Sequence, residues 1–599
     1  MKRCIHRFVP YKSISWYTAL LLFVFIAYFT FNYATPNPLS WDNLGYHVYL
    51  SELINDGNLR VPDLGYYERI MEQYKNTTTL YQFVPTNHEA LGGYITKYTS
   101  GWALLNAPFV YAGHVWAGWF GYAQDGFSKP YQIAVIISSF FYTLIGLLFL
   151  RKICLHFFTE KITSILLLIL VLGTNYLHLH AESTATIHIY LFTLYTLLIW
   201  LTIQFYQSKT RLKALLIGVV IAFMILIRPT ELLAVIIPLL YGVTSFADLK
   251  KRFIEFFTTS YYYWAIGFLL LVDSVQLVYW KYTTGKFLVY TYNNEGEGLD
   301  FHLPHLIDVL FSFRKGWFIY TPLMLLLIFG FIQLYKQKRE WFWGLFVFTI
   351  LNLYVISCWT TWWYADSFSQ RSLSHTYPIY ILVIGFIFVH IKGLKRMLLG
   401  GFIVLSIGLN LFQSWQARYG ILHLSRITAA YYFSVFGQTT DPTEEQLKLL
   451  SIDYDLKSFE NRAEYKLITT IQPSYNLPFT LDSETEQTPL ETIPFETLTA
   501  SDHLWVRATA KIEPLFADSL YKAENFAAHL CICMLHKKRT YAWRNVSALT
   551  IDQAGVILTQ DYLTPHPRFL SDEISVSVWL QYGPAIQVTN LSFEIYEKK

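Results

Sequence analysis

Apolar residues in this chain gather into runs of about 15–20 that recur up to about residue 415 and then almost cease. A helix crossing a hydrocarbon core of ~30 Å needs about 20 such residues. The runs predict eleven spans: 16–33, 131–150, 164–179, 187–206, 212–228, 232–246, 261–280, 316–335, 341–359, 376–390 and 397–415. A twelfth apolar stretch, 101–120, is interrupted by Asn106, Pro108, His114 and three glycines. Beyond Arg418 the texture changes. A short helix is expected at 443–450, and strands at 504–512, 528–535, 556–560, 573–581 and 586–596. Apolar and polar residues alternate with period two through most of 574–580, the mark of a half-buried sheet. The fold class is therefore a mainly α, polytopic helix bundle followed by a β-sandwich or jelly roll of about 100 residues. The expected division is 1–418 for the membrane domain, 419–490 for a connector and 491–599 for the β domain.

Basic residues set the orientation, because cytoplasmic loops retain Lys and Arg. Six clusters are candidates: Lys2/Arg3/Arg7/Lys12, Arg151/Lys152/Lys161, Lys209/Arg211/Lys213, Lys250/Lys251/Arg252, Lys336/Lys338/Arg339 and Lys392/Lys395/Arg396. All six fall on the cytoplasmic side if 101–120 does not cross, so that stretch reads as an interfacial or re-entrant helix. The N-terminus is then cytoplasmic, and the first span stays as an anchor because residues 33–36 make a poor cleavage site. The opposite side receives 35–100, 178–186, 281–315, 360–374 and everything after Arg418. These segments carry the acids, histidines and tryptophans.

Composition narrows the class. Of 599 residues, 54% are hydrophobic and 15% charged, against about 25% charged in soluble proteins. A soluble multidomain enzyme, a disordered chain, a collagen and a disulfide scaffold are excluded. A dispersed net charge of +4 gives no reason to expect nucleic acid as a partner. The five cysteines form neither a zinc nor a disulfide pattern. Cys531 and Cys533, two apart, are expected on the core face of one strand.

Candidate chemistry sits on the outer side. Asp42 follows the first span in Trp41-Asp42-Asn43, where it is either a reactive carboxylate or, like Ser40, a cap for a helix running 44–55. Lys97 directly precedes 101–120, either snorkelling to water or holding a phosphate. Residues 175–188 bring His178, His180, Glu182 and His188. Histidines at i and i+2 share no helical face, so they make a weak metal pattern, whereas Glu182 and His188 are polar groups at a span boundary. Arg228 in Arg228-Pro229-Thr230-Glu231, Arg314 with Lys315, and Arg371 at the end of 362–371 complete a set of cations at one membrane level. Each alone reads as an interface anchor; together they suit a phosphate.

This pattern resembles the GT-C superfamily of polytopic glycosyltransferases, which includes protein O-mannosyltransferases and lipid A aminoarabinose transferases. The resemblance rests on Trp41-Asp42 after the first span, a large first outer loop and Lys97-Tyr98-Thr99-Ser100-Gly101. It rests also on Arg228-Pro229-Thr230 and the 363–371 stretch, and covers roughly 10–420. The chain departs by lacking a Pro-Pro pair after Lys97 and by offering Glu182 or His188 where many members have an Asp. The resemblance implies transfer of a sugar, with inversion, from a polyprenyl phosphate to a glycan, lipid or protein acceptor. In that scheme Asp42 is the base, with Glu182 and His188 as further catalytic candidates. Lys97, Arg228, Arg314 and Arg371 hold the donor phosphate. Some members use a divalent cation, and the family likeness points to a bacterial inner membrane. Two other classes remain open: a transporter or flippase, for which Asp273 is the clearest mid-span acid, and a non-catalytic glycan-binding membrane protein acting through its tail.

Overall fold

The computed structural model describes residues 13–34, 37–86, 93–292, 298–451, 464–499, 503–516, 521, 526–565, 567, 569 and 571–599; for Glu182 it describes the backbone only. Lys2, Arg3, Cys4, Arg7, Lys12 and Glu89 lie outside the described residues. The chain forms two compact units. One comprises 1–292 with 301–450, and the other 293–300 with 451–599.

The first unit is helical. Among the described residues, seven helices are long and apolar enough to cross a membrane: Ile14–Tyr33, Lys129–Phe157, Ile187–Gln207, Ser260–Thr284, Arg339–Ser357, Arg371–His390 and Gly393–Arg418. The other four expected spans are shorter or broken. Glu160–Leu172 stops at Gly173, and a separate helix, Tyr176–Glu182, follows. Arg211–Ile227 is 17 residues long and ends before Pro229, which opens a 3-10 turn at Pro229–Val235. The 316–335 run divides into Trp317–Tyr320, Pro322–Leu325 and Leu326–Gln337. Both prolines act alike: each lacks the N–H that an α-helix needs and pushes the preceding residue out of the helical region. Arg228 and Thr321 accordingly have φ of −150° and −132°. Gly101–Phe120 is one unbroken helix around Pro108.

The second unit is a β-sandwich. One antiparallel sheet has the order Glu491–Pro494, Glu573–Tyr582, Ala527–His536, Arg539–Ala548. The other has the order Tyr465–Ile471, Ile586–Lys598, Trp505–Pro514, Val556–Leu563, with Phe479–Leu481 also on Ile586–Lys598. Leu530, Ile532 and Met534 meet Ile574, Val576, Val578 and the residues of the second sheet in a common core. Alternation along the strand therefore places Cys531 and Cys533 on the opposite face, away from that core. The core-face reading of the two thiols is corrected accordingly.

Candidate functional site

The chain leaves its first helix and enters helix Asp42–Asn55 through a strained residue. Trp41 has φ of +50°, a region that side chains rarely enter. Its neighbours fix it there. The Trp41 N–H donates to the Asn76 carbonyl at 3.2 Å, Gln82 Nε2 donates to the Trp41 carbonyl at 3.0 Å, and Asn43 Nδ2 donates to the carbonyls of Pro38 and Thr184. Asp42 is the first residue of the helix rather than its cap, and the Ser40 hydroxyl donates to the Asn37 carbonyl. Neither expected capping role is present.

Three donors from distant parts of the chain meet the Asp42 carboxylate instead. Oδ1 accepts from the Tyr81 and Tyr98 hydroxyls at 2.6 and 2.7 Å, and Oδ2 accepts from Arg371 Nη2 at 3.3 Å. About 40% of the side chain remains exposed. Burial works to raise the carboxyl. Arg371, the two phenol hydrogen bonds and Lys97 outweigh it and hold Asp42 below its ordinary range.

Lys97 stands at the end of the ribbon formed by Phe83–Pro85 and Tyr94–Thr96. Its side chain is enclosed by aromatic faces. The ammonium lies 4.4 Å from the centre of the Tyr81 ring and 5.5 Å from those of Tyr98 and Tyr292, a cation–π arrangement. Two glycines allow the approach. A Cβ on Gly45 would lie 2.4 Å from the Tyr98 ring, and one on Gly101 would lie 2.5 Å from the backbone of Leu226 and Ile227. Gly101 thus packs the Lys97 segment against the helix end from which Arg228 emerges.

Arg228 belongs to a second, deeper cluster. Its Nη2 donates to the Tyr364 hydroxyl at 3.3 Å, and its Nη1 lies 4.0 Å from Glu231 Oε1. Glu231, 2% exposed, also accepts from the Tyr195 hydroxyl and from His375 Nε2 at 3.1 Å. His375 Nδ1 lies 3.0 Å from His188 Nδ1. An ionised carboxylate only accepts, so His375 carries its proton on Nε2; in its neutral form its Nδ1 then accepts from His188. His188 is therefore part of a buried chain ending on Glu231, not a second group facing Asp42. The clusters share an electrostatic neighbourhood. The Tyr46 hydroxyl is driven well above its ordinary range by burial first, then by Tyr292 and Asp42, while Arg228 and Arg371 both oppose the rise.

Arg314 is committed elsewhere: its Nε donates to the Ser425 carbonyl and its guanidinium lies 3.8 Å from the Trp363 ring. Lys315, fully buried, donates to Ser367 and to the Leu424 carbonyl. His178 and His180 face Ser414 and the Tyr176 carbonyl respectively. The Glu182 side chain lies outside the described residues. Tyr81, Glu231 and His375 are not among the residues expected in the site; Tyr98 and Glu231 lie inside the Lys97 and Arg228 motifs, whereas Tyr81 has no signal. Five of the eight described non-glycine residues with positive φ, namely Trp41, Ala185, Tyr364, Ala365 and Ser369, lie on the segments that carry these clusters.

Among the described residues no group of three His, Cys, Asp or Glu is gathered that would hold a metal ion. At Asp42 itself both oxygens already accept from phenols and a guanidinium, with Lys97 beside them. That donor set does not fit a divalent cation. An apolar cavity of about 460 Å³ adjoins the cluster, lined by Tyr49, Leu53, Leu104, Val275, Val278 and Tyr282 among others. Tyr49, on its wall, donates its hydroxyl to the Tyr98 carbonyl at 2.7 Å.

No family model and no curated protein matches the chain. Solved structures resemble it weakly. The oligosaccharyltransferase of Archaeoglobus fulgidus in the apo form has 12% identity and a TM-score of 0.41, over 74% of this chain and 60% of that one. The same enzyme tethered to an acceptor peptide containing the NVT sequon gives 11%, 0.39, 76% and 62%. The arabinosyltransferase EmbB from Mycobacterium smegmatis gives 11% and 0.39 over 99% of this chain and 66% of that one. The chain spans about three-fifths of the archaeal enzyme's length.

Proposed function

We propose that the protein is an integral-membrane glycosyltransferase that moves a sugar from a polyprenyl-phosphate donor to an acceptor hydroxyl, with Asp42 as general base. The acceptor O–H gives its proton to Asp42 while its oxygen attacks C1 of the sugar from the face opposite the phosphate. The C1–O bond to phosphate breaks, and the leaving lipid phosphate takes the electron pair. Inversion follows from that geometry. Arg371 and Lys97 would meet the charge that develops on the phosphate, where low polarity and fixed donors make each cation worth most. Arg228, held by Tyr364 and Glu231, stands behind them. The apolar cavity beside Tyr98 offers the donor's hydrocarbon chain a place to lie while its phosphate meets the cations. The acceptor, a glycan, lipid or protein, enters on the extracytoplasmic side of a bacterial inner membrane.

The observation that carries the reading is the Asp42 carboxylate: part-exposed, within 3.3 Å of Arg371 and held below its ordinary range by that arginine and the two phenols. A base must be both ionised and reachable, and the lowered, part-exposed carboxylate supports Asp42 in that role. The test is transfer of radiolabelled sugar from a polyprenyl-phosphate donor by purified protein. Wild-type turnover retained by Asp42→Asn would overturn the assignment of the base. A second reading, transport of a polar substrate, draws on Asp273, whose Oδ1 is buried without a hydrogen-bond partner among the described residues. Uptake into proteoliposomes without any sugar transfer would favour it.

A further inference from the structure

The sandwich presents a second, unrelated cavity. On the face of the Glu573–Tyr582/Ala527–His536/Arg539–Ala548 sheet that turns away from the core, a shallow space of about 310 Å³ is lined by Gln487, Cys531, Cys533, Thr540, Trp543, Asn545 and Trp579. This volume lies at the lower end of the ~300–1,000 Å³ usual for small-molecule sites. The chemistry of its lining is selective. Among the described residues, no lining residue is charged and none is aliphatic; two indoles and two carboxamides remain, over a floor of thiols and hydroxyls.

Register shows how the face is laid out. Trp543 pairs with Cys533 and Cys533 with Ser575; Asn545 pairs with Cys531 and Cys531 with Ser577; Trp579 pairs with His529. Small residues thus fill the middle, and the two tryptophans stand at opposite corners. Two strand spacings of ~4.8 Å and four residues of ~3.4 Å put their Cα atoms roughly 17 Å apart. That is room for a chain of rings between them. The corner at Trp579 is braced: its ring stacks on His529 at 5.2 Å, and His529 is itself bonded to Ser547 and Gln581. Gln487 Nε2 donates to the Ser577 hydroxyl at 2.9 Å, which fixes the edge of the floor.

We propose that this face binds a neutral oligosaccharide, with Trp543 and Trp579 stacking on sugar rings and Asn545, Gln487 and Thr540 meeting their hydroxyls. The C–H face of a pyranose is weakly positive and packs on the negative face of an indole. Carboxamides both donate and accept, which matches a hydroxyl's own dual character. Absence of charge among the described lining residues disfavours phosphate and uronate ligands. Absence of aliphatic side chains among them disfavours a protein surface, whose contact cores are apolar. The purpose of such a site, keeping a glycan acceptor or product at hand, rests on the glycosyltransferase reading; the binding does not.

The test uses the full-length protein in detergent on an array carrying neutral oligosaccharides, monosaccharides, sulfated glycans and unglycosylated peptides. Neutral oligosaccharides are expected to bind, and more tightly than monosaccharides. Trp543→Ala and Trp579→Ala should each weaken binding at least tenfold. Cys533→Phe, which fills the floor and removes no indole, should do the same, so that a folding defect in one variant does not decide the matter. Peptides binding in preference to sugars, or sugar binding unchanged in Trp543→Ala/Trp579→Ala, would overturn the proposal. Sugar binding that needs the tryptophans, in a protein that transfers nothing, would sink the enzyme reading and leave this one standing.

Discussion

Asp42 and Glu231 are both carboxylates set beside an arginine and a tyrosine hydroxyl, and they differ in what surrounds them. Asp42 keeps about 40% of its side chain exposed at the start of a helix, with three donors converging from elsewhere in the chain. Glu231 is closed in by Tyr195, His375 and Arg228. A substrate proton can reach the first and not the second. On the proposed reading, the same chemical group serves as a reactive base in one place and as a fixed counter-charge in the other. Exposure, not the identity of the neighbours, separates the two roles.

The comparison breaks most sharply at Asp42. Asp42→Asn preserves shape and removes the base, so turnover should fall by about 10²–10⁴, with little change in the melting temperature. Arg371→Ala and Lys97→Ala come next, each costing roughly 10²-fold in turnover if they stabilise the leaving phosphate. Arg371→Ala carries a second signature. Arg371 is the strongest influence holding the Asp42 carboxyl down, so its loss should move the acid limb of the kcat/KM profile to higher pH. A limb that stays in place would detach Asp42 from catalysis.

Glu231→Gln should behave in the opposite sense to Asp42→Asn. Removing one charge from a buried, hydrogen-bonded cluster costs about 1.5–3 kcal/mol of stability, read as a lower melting temperature. Turnover per folded molecule should fall less than for Asp42→Asn, through a displaced Arg228. A variant that melts normally yet has no activity would place Glu231 among the reacting groups instead.

What was legible in the sequence follows from where information is local. Asp42, Lys97, Arg228 and Arg371 could be picked out because each interrupts or borders an apolar run. Their convergence could not. The Arg371–Asp42 bond joins residues 329 apart, and nothing in either segment encodes the other. Tyr81 is one of 45 tyrosines and sits in no pattern. His375 opens a run that otherwise reads as plain span. The four shorter or broken helices owe their form to single residues, Gly173, Pro229 and Pro322 among them, that a count of apolar positions passes over. In the sandwich, the five strands expected at 504–512, 528–535, 556–560, 573–581 and 586–596 occur there within a few residues. Arg539–Ala548 was missed because Arg539, Arg544 and Asn545 interrupt its alternation, and it is the strand that carries Trp543.

A third carboxylate extends the comparison to stability. Glu52 is buried beside Tyr67, whose hydroxyl donates to Oε1 at 2.6 Å. Burial pushes its carboxyl up to about 7, against a lowering from the Tyr67 hydrogen bond, with Asp56 and Asp63 adding to the rise. The folded state therefore holds a proton that the unfolded chain, with an ordinary pKa near 4.5, has released. Stability falls as pH rises from about 4.5 to about 7 and stays lower above, by on the order of 1–3 kcal/mol. Glu52→Gln should abolish that fall, melting like the wild type near pH 4.5 and above it at pH 8. A difference that does not change with pH would show that Glu52 is ionised in the folded protein.

The smallest effect probes the donors rather than the acids. Tyr81→Phe leaves the ring over Lys97 and removes one of the two phenol hydrogen bonds to Asp42 Oδ1. A hydrogen bond to the ionised form favours it, so its loss lets the carboxyl rise while Arg371 and Tyr98 still hold it below neutrality. Turnover at neutral pH should drop only a few-fold, because the base is still ionised there, but the acid limb of kcat/KM should move to higher pH. Tyr98→Phe should shift it in the same direction, since both phenols bond the same oxygen. If either substitution lowers turnover equally at every pH, the hydroxyl acts on substrate directly, and the task of keeping Asp42 charged passes from the phenols to Arg371 alone.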